Sequence, residues 1–381
     1  MKGKILVIFP KEQGGEWVAN KNISQNLAEL SKEIIIKEIS IQATIWDKDK
    51  RLQLLKSFLN QFLGYRKILV EIKKKTKIKA IYSSSLIILF LASLIWGKKI
   101  SLFFQYHGRR HFNLQEELKR EKNLFRRWLY IFPFYSFLTN LEKHIFYKRV
   151  KKIFVPAKAS IEDLKEDFPK LDEGKIRIIP NGIDEKIFNT EGRRKIIKKP
   201  KNLLFVGRLE KEKGLMPLLA AFSLIKKKFK DSILTIVYLP SAEKQFEKTF
   251  LDSSKEKKIK LIKNLNSEEL AKLYKKSDLL ILPSEKEQLP LVFLEAIACG
   301  TPVLSTGVGD LKEAQLKISS EMIISEAMPE KIAFSILSYY ALSLKQKEEI
   351  IQNGLNLAKN YRWSKTAKTI LKEINNVLPQ S

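Results

Sequence analysis

ILPSEKEQLPLVFLEAIACGTPVLSTGVGD, residues 281–310, reads as a strand, a turn, a short apolar helix, and then a second strand closed by glycine turns. Pro290 suits the first position of a helix, and Gly300-Thr301-Pro302 ends it. Between Gln288 and Gly309 the one charged side chain is Glu295, in a chain of which 30% of residues are charged. An ionised carboxylate in such apolar surroundings is costly unless something donates hydrogen bonds to it. Glu287 stands eight residues earlier, just before the helix opens. Two carboxylates around a helix start, beside a strand end, suit a site that grips hydroxyls better than they suit a core.

The strand–helix alternation of this stretch continues in both directions. In the first half the strand candidates are 4–10, 34–41, 79–85, 99–107, 151–157 and 175–182. The second half offers 201–208, 233–240, 258–265, 278–284, 301–307 and 321–325. Helical patterns lie between them, which predicts an α/β chain of two doubly wound parallel sheets. The polar, weakly periodic segment EGRRKIIKKPK (191–201) is the expected junction. Ligands on such sheets sit beyond the carboxyl ends of strands, so the residues just after each strand carry the functional weight. With two domains, the cleft between them is the expected site.

A chain of 381 residues has room for two buried cores, and 44% hydrophobic content excludes global disorder. The lone cysteine, Cys299, excludes a disulfide framework and a multi-cysteine metal site, and fits a reducing compartment. MKGKILVIFP at the N-terminus reads as a first strand rather than a signal peptide. SLIILFLASLIW (85–96) is the most hydrophobic run, but it falls short of the roughly twenty residues a membrane span needs. It is expected to be a buried helix. The net charge of +29 admits a compositional bias toward Lys, an anionic membrane surface, or nucleic acid as its explanation.

Three groups follow the strand NLLFVGR. Gly207 lets the backbone turn close to a ligand, Arg208 offers a planar fork for phosphate oxygens, and Lys213 offers a mobile point charge. All lie between a strand end and a helix N-terminus, where anions are favoured. The competing reading is an ordinary solvated basic loop. In the 281–310 stretch, Leu291, Leu294, Ile297 and Ala298 recur at helical spacing as a packing face, while Val292, Glu295 and Cys299 line another. Glu295 could then accept two ribose hydroxyls, Glu287 sugar hydroxyls, and the amides of Leu291 and Val292 a phosphate. Against this stands a capping role for Glu287 and a structural ion pair for Glu295.

GRLEKEKG (207–214), EQLPLVFLEAIACGTPVLST (287–306) and VGDLKE (308–313) together resemble the nucleotide-sugar half of glycosyltransferase family 4, of GT-B fold. Glu287 and Glu295 match its E-x7-E motif, and Arg208 and Lys213 its phosphate-binding Arg and Lys. IIPNGID (178–184), YRWSKTAKTIL (361–371) and KEQGGEWVANKNISQNLAEL (11–30) resemble its interdomain segment, final helix and glycine-rich first loop, so the similarity covers nearly the whole chain. The resemblance implies two Rossmann-like domains facing a cleft: residues 1–190 for the acceptor, completed by a crossing-back helix at 359–381, and residues 191–358 for the nucleotide-sugar. It implies transfer of a sugar to an acceptor hydroxyl with retention of configuration, and without metal. Arg208 and Lys213 would stabilise the departing diphosphate, Glu295 would hold the ribose, and Glu287 the donor sugar. UDP- or GDP-sugars are the expected co-substrates, and no other cofactor is expected.

By the same resemblance His107, which closes the strand SLFFQYH before Gly108, faces the donor sugar, and Gly14 and Gly15 bring backbone amides near the diphosphate. The role of Glu313 is left open, and Arg109 and Arg110 are equally well read as an acceptor contact or a solvated pair. Three departures stand out: YLPSAEK (238–244) replaces a Gly-x-Gly turn, EQLP (287–290) lacks the usual glycines, and Asp310 replaces a second Gly. Nucleobase preference is therefore open. Residues 118–152 interleave aromatics with Lys and Arg, as a membrane-surface helix would. The expectation is a cytoplasmic enzyme of lipopolysaccharide, lipid-linked glycan or surface-polysaccharide synthesis, with a glycan or glycolipid acceptor and contact with anionic membrane. A soluble sucrose- or glycogen-type transferase uses the same constellation. A basic nucleic-acid-binding protein is the reading from another class; it leaves Glu295 unexplained, and no nucleic-acid partner is expected.

Overall fold

The computed structural model describes residues 4–10, 15–39, 50–107, 145–239, 244–256 and 259–378. Twelve strands appear among them, one within or overlapping each expected segment: β1 Lys4–Pro10, β2 Ile34–Ile39, β3 Ile78–Ser83, β4 Ser101–Gln105, β5 Val150–Val155 and β6 Ile176–Ile178, then β7 Asn202–Arg208, β8 Ile233–Leu239, β9 Lys260–Lys263, β10 Leu279–Leu282, β11 Val303–Thr306 and β12 Ile323–Ile324. They form two six-stranded sheets, ordered β2-β1-β3-β4-β5-β6 and β12-β11-β10-β7-β8-β9. Every pairing between these strands is parallel.

The sequences of the central strands explain their place. Helices cover both faces of a parallel sheet, so its inner strands are apolar throughout rather than alternating. In β1, Ile5 to Phe9 are each no more than 2% exposed, and all four residues of β10 are equally hidden. β2 carries Lys37 and Glu38 outward on the sheet edge, where charge discourages pairing with another chain.

The most hydrophobic run is the helix Leu86–Trp96, started by the Ser85 hydroxyl accepting from the Ile88 amide. Ile88, Leu89, Leu91 and Ala92 pack into the first sheet's core, while Leu94 faces outward. Among the described residues no helix is long and apolar enough to cross a membrane.

The chain forms two compact units, Met1–Pro180 with Ser364–Ser381, and Asn181–Trp363. Residues after Pro180 already belong to the second: the Arg194 amide donates to the Lys275 carbonyl at 2.9 Å, and Lys275 Nζ to Asn189 Oδ1 at 2.9 Å. The last helix, Trp363–Val377, returns to the first unit. There Thr366 donates to the Pro180 carbonyl at 2.8 Å, and Glu373 pairs with Arg177 at 3.1 Å.

Numbered within its own unit, the second sheet runs 6-5-4-1-2-3, the doubly wound order whose direction of winding reverses between its first and fourth strands. That switch point lies between β7 and β10. In the first sheet the reversal lies between β1 and β3. The topology therefore singles out the loops after β7 and β10 in one unit and after β1 and β3 in the other.

Candidate functional site

The turn after β7 is built from its own amides: Lys213 N donates to Glu210 O at 3.1 Å and Gly214 N to Lys211 O at 3.2 Å. Gly214 has φ +66°, and a Cβ there would lie 2.0 Å from the Pro283 carbonyl oxygen. Only glycine allows this turn to rest on the end of β10. The contact is fastened by the Glu285 amide donating to the Glu212 carbonyl at 2.8 Å.

This contact brings Lys213 to Glu287. Lys213 Nζ lies 2.7 Å from Glu287 Oε1, and both side chains are mostly buried, 13% and 14% exposed. Ser284 Oγ donates to the same oxygen at 3.0 Å. The loop carrying Glu287 is held from its other side by Gly309, whose φ is +54° and where a Cβ would meet the Glu287 carbonyl at 2.1 Å. The Leu311 amide donates to Gln288 O at 3.1 Å. Arg208 stays outside the pair: its side chain is 57% exposed and its Nη1 is 3.0 Å from Glu210 Oε1. Gly207, expected to let the backbone approach a ligand, ends β7 beside it. Glu313 pairs with Lys317 at 3.0 Å on the surface.

The helix Leu291–Ala298 follows Glu287, with Pro290 at its N-cap. The Phe293 amide bonds back to Pro290 O at 3.1 Å, while the amides of Leu291 and Val292 head the helix, where no intrahelical acceptor exists. The helix closes at Gly300, φ +72°, with the Thr301 amide returning to Ala296 O at 2.9 Å.

Glu295 differs from its expected setting. Two distinct faces were expected on this helix, with Glu295 angled away from the packing face; instead Phe293 to Cys299 are all buried, and Glu295 is 8% exposed. The difference arises because the helix Ser267–Lys276 covers the second face. Its Tyr274, fully buried, donates its hydroxyl to Glu295 Oε2 at 3.2 Å. No hydrogen bond from a described residue reaches Oε1. Burial raises the Glu295 carboxyl to about 7, with the Tyr274 hydrogen bond pulling the other way. Cys299, one turn on, is pushed up to about 12 by the same burial.

In the first unit His107 lies two residues beyond the end of β4. Its Nε2 lies 2.7 Å from Oδ1 of Asn20, and Asn20 Nδ2 donates to Ser84 Oγ at 3.1 Å. Asn20 sits on the helix Gly15–Leu30 and Ser84 just beyond β3, at that sheet's switch point. In this arrangement a neutral His107 carries its proton on Nε2. Gly15 opens the helix. Gly14, Arg109, Arg110 and residues 118–144 of the basic aromatic segment lie outside the described residues.

The structure thus unites Lys213 with Glu287 and leaves Glu295 and Arg208 in separate contacts. Sequence reasoning missed Ser284, Tyr274 and Asn20. Ser284, three residues before Glu287, was within local reach; Tyr274 and Asn20 are joined to their partners across 21 and 87 positions. Among the described residues no group of three or more His, Cys, Asp or Glu could hold a metal ion.

Two parallel sheets of this topology define the GT-B class. Sucrose-phosphate synthase from Thermosynechococcus elongatus superposes with a TM-score of 0.75 at 16% identity, over 99% of both chains. Anabaena HepE in complex with UDP-glucose does so at 0.69 and 13% identity, over 98% of this chain and 100% of that one. The sequence matches the families described as Glycosyltransferase Family 4 over residues 42–186 and Glycosyl transferases group 1 over residues 188–357. The chain belongs to the group 1 glycosyltransferase family. The D-inositol 3-phosphate glycosyltransferase of Paenarthrobacter aurescens (strain TC1) is 28% identical over 210 residues, 52% of this chain and 51% of that protein. A glycogen synthase of Mycobacterium tuberculosis is 34% identical over 143 residues, 36% of this chain and 33% of the relative. The chain therefore spans about half, or less, of the length of these relatives.

Proposed function

We propose that the protein transfers a glycosyl group from a nucleotide-sugar to an acceptor hydroxyl, with retention at the anomeric carbon. The observation that carries the reading is the Lys213–Glu287 pair, set at the switch point of the second sheet beside the open N-terminus of the helix Leu291–Ala298. A diphosphate at a helix N-terminus meets unpaired amides and the positive end of the helix dipole. Lys213 can follow a leaving oxygen whose charge grows as the glycosidic bond breaks, a form of stabilisation that lowers the barrier itself. Arg208, exposed on the same loop, adds a fork for the phosphate oxygens. Glu287 and Glu295 are acceptor groups for sugar and ribose hydroxyls. Anabaena HepE, which shares the fold, is described in complex with UDP-glucose, in keeping with this class of donor.

On this reading Arg208 and Lys213 supply the positive charge that a divalent cation supplies elsewhere, so turnover is expected to survive EDTA. Within the first unit, Asn20 orients the His107 imidazole through Nε2. The acceptor is a glycan or glycolipid, and the pathway one of cell-envelope or surface-polysaccharide synthesis at the cytoplasmic face of a membrane. Slow hydrolysis of a panel of UDP-, GDP- and ADP-sugars tests the donor class. Lys213→Ala should lower turnover of the accepted donor at least about tenfold, or roughly 1.4 kcal/mol. Unchanged turnover in that variant, or no hydrolysis and no binding of any nucleotide-sugar, would sink the reading.

A further inference from the structure

A buried tyrosine hydroxyl without a partner is costly, and Tyr274, with no exposed surface, spends its one donor on Glu295 Oε2 at 3.2 Å. The residue is held at both ends: its ring lies 6.3 Å from the Phe188 ring, and its backbone carbonyl accepts from Thr301 Oγ1 at 2.8 Å. Glu295 is therefore tethered by one oxygen to a fixed point, while no described residue bonds the other. We propose that Tyr274 is a positioning residue for the donor: it locks the Glu295 carboxyl by Oε2 so that Oε1 is presented to a hydroxyl of the nucleotide's ribose. This rests on the nucleotide-sugar reading of the site.

A chemical consequence follows from the surroundings of the pair. The groups facing it are Tyr274 from the helix Ser267–Lys276 and Cys299 from Glu295's own helix, whose thiol burial keeps neutral. Lys275 acts on Cys299, but its ammonium is held by Asn189 Oδ1 at 2.9 Å. No described cation pairs with Glu295, and burial brings its carboxyl to about 7 against the Tyr274 hydrogen bond. A ribose hydroxyl donates its hydrogen to Oε1, which favours the carboxylate. Binding the nucleotide then releases the carboxyl proton to solvent, and the carboxyl O–H is the only bond broken.

UDP, GDP and ADP are separately titrated into the full chain by calorimetry from pH 5.5 to 9, in buffers of unlike ionisation enthalpy. The expected result is proton release near pH 7 and affinity about tenfold weaker at pH 6 than at pH 8, the ratio of ionised carboxyl for a group titrating near 7. In Tyr274→Phe the lost hydrogen bond moves the midpoint upward, so affinity is weaker at pH 7 and converges with wild type at the alkaline end. Glu295→Gln should remove the component centred near 7 with or without Tyr274, leaving only the ionisation of the nucleotide's terminal phosphate at about pH 6. A Tyr274→Phe profile superimposable on wild type would overturn the assignment. Should none of the three nucleotides bind, the nucleotide-sugar reading fails and the donor role of Tyr274 is overturned with it. The Tyr274–Glu295 coupling is then read in the ligand-free protein from the Glu295 carboxyl infrared band, identified by difference against Glu295→Gln. A higher midpoint in Tyr274→Phe is expected there, and an unmoved one refutes the coupling as well.

Discussion

Removing Lys213 should cost stability as well as activity, and the two losses can be separated. Its ammonium and the Glu287 carboxylate meet at 2.7 Å with 13% and 14% of their side chains exposed, so neither is well solvated. Taking away one partner of such a pair leaves a largely buried charge, at a cost of about 3 kcal/mol or more. For Lys213→Ala the remaining help to Glu287 is the Ser284 hydroxyl at 3.0 Å, a single neutral donor. At about 2–4 °C per kcal/mol for a unit of this size, the thermal transition should fall by roughly 6–12 °C. Glu287→Leu should do much the same. The double variant Lys213→Ala/Glu287→Leu removes both charges and should recover a coupling energy of about 2 kcal/mol, within the range seen for contacting pairs. Activity should not recover in the double variant, because on the proposed reading the groups that meet the donor are gone. Circular dichroism on heating, with donor hydrolysis at a temperature where all variants are folded, makes the measurement. Additive losses of stability would refute the account of the pair; recovered turnover in the double variant would refute its chemical role.

Stability should also depend on pH through Glu295. Its carboxyl is raised on folding from 4.5 to about 7, so the folded state binds the proton more tightly than the unfolded state. Stability is then greatest below about 4.5 as far as this group is concerned, falls as pH rises toward 7, and levels off above; the sum is about 3 kcal/mol. Urea titrations at pH 5 and 8 should show most of that difference in wild type and lose it in Glu295→Gln. Gly309→Ala should destabilise by at least about 1–2 kcal/mol from its φ of +54° alone, and by more from a Cβ placed 2.1 Å from the Glu287 carbonyl. It should reduce donor turnover without touching a charged group, whereas Gly192→Ala, at φ +74° with nothing within 4 Å, should lose only the backbone contribution. Lys347 is 1% exposed, gives Nζ to the Tyr340 carbonyl at 2.9 Å and lies 5.5 Å from both the Tyr339 and Tyr340 rings. Burial lowers its pKa, so Lys347→Met should be neutral or stabilising in the same melts, with donor hydrolysis unchanged.

The strands were legible because parallel sheets impose a local signature. Runs such as KILVIFP and DLLILPS are apolar on both faces, and glycine or proline marks where they stop. The ends of the helix Leu291–Ala298 were legible for the same reason, since Pro290 and Gly300 act through their own backbone. The environment of Glu295 was not. Helical spacing located the residue relative to its own turn, but which helix would cover that face depends on packing between segments far apart in the chain. What came out was a buried carboxyl accepting a hydrogen bond from Tyr274.

By itself the sequence determined that this chain forms two doubly wound sheets, that Arg208, Lys213 and Glu287 stand at strand and helix ends, and that Glu295 lies inside a short helix. Those are consequences of apolar periodicity and backbone chemistry, which act over a few residues. Only the tertiary structure decided which of these charges meet. Gly214 resting on Pro283 and Gly309 resting on Glu287 are approaches between distant loops, and they place Lys213 on Glu287 while Arg208 turns to Glu210. Electrostatic partners are chosen by distance in space, and a sequence pattern encodes distance only along the chain.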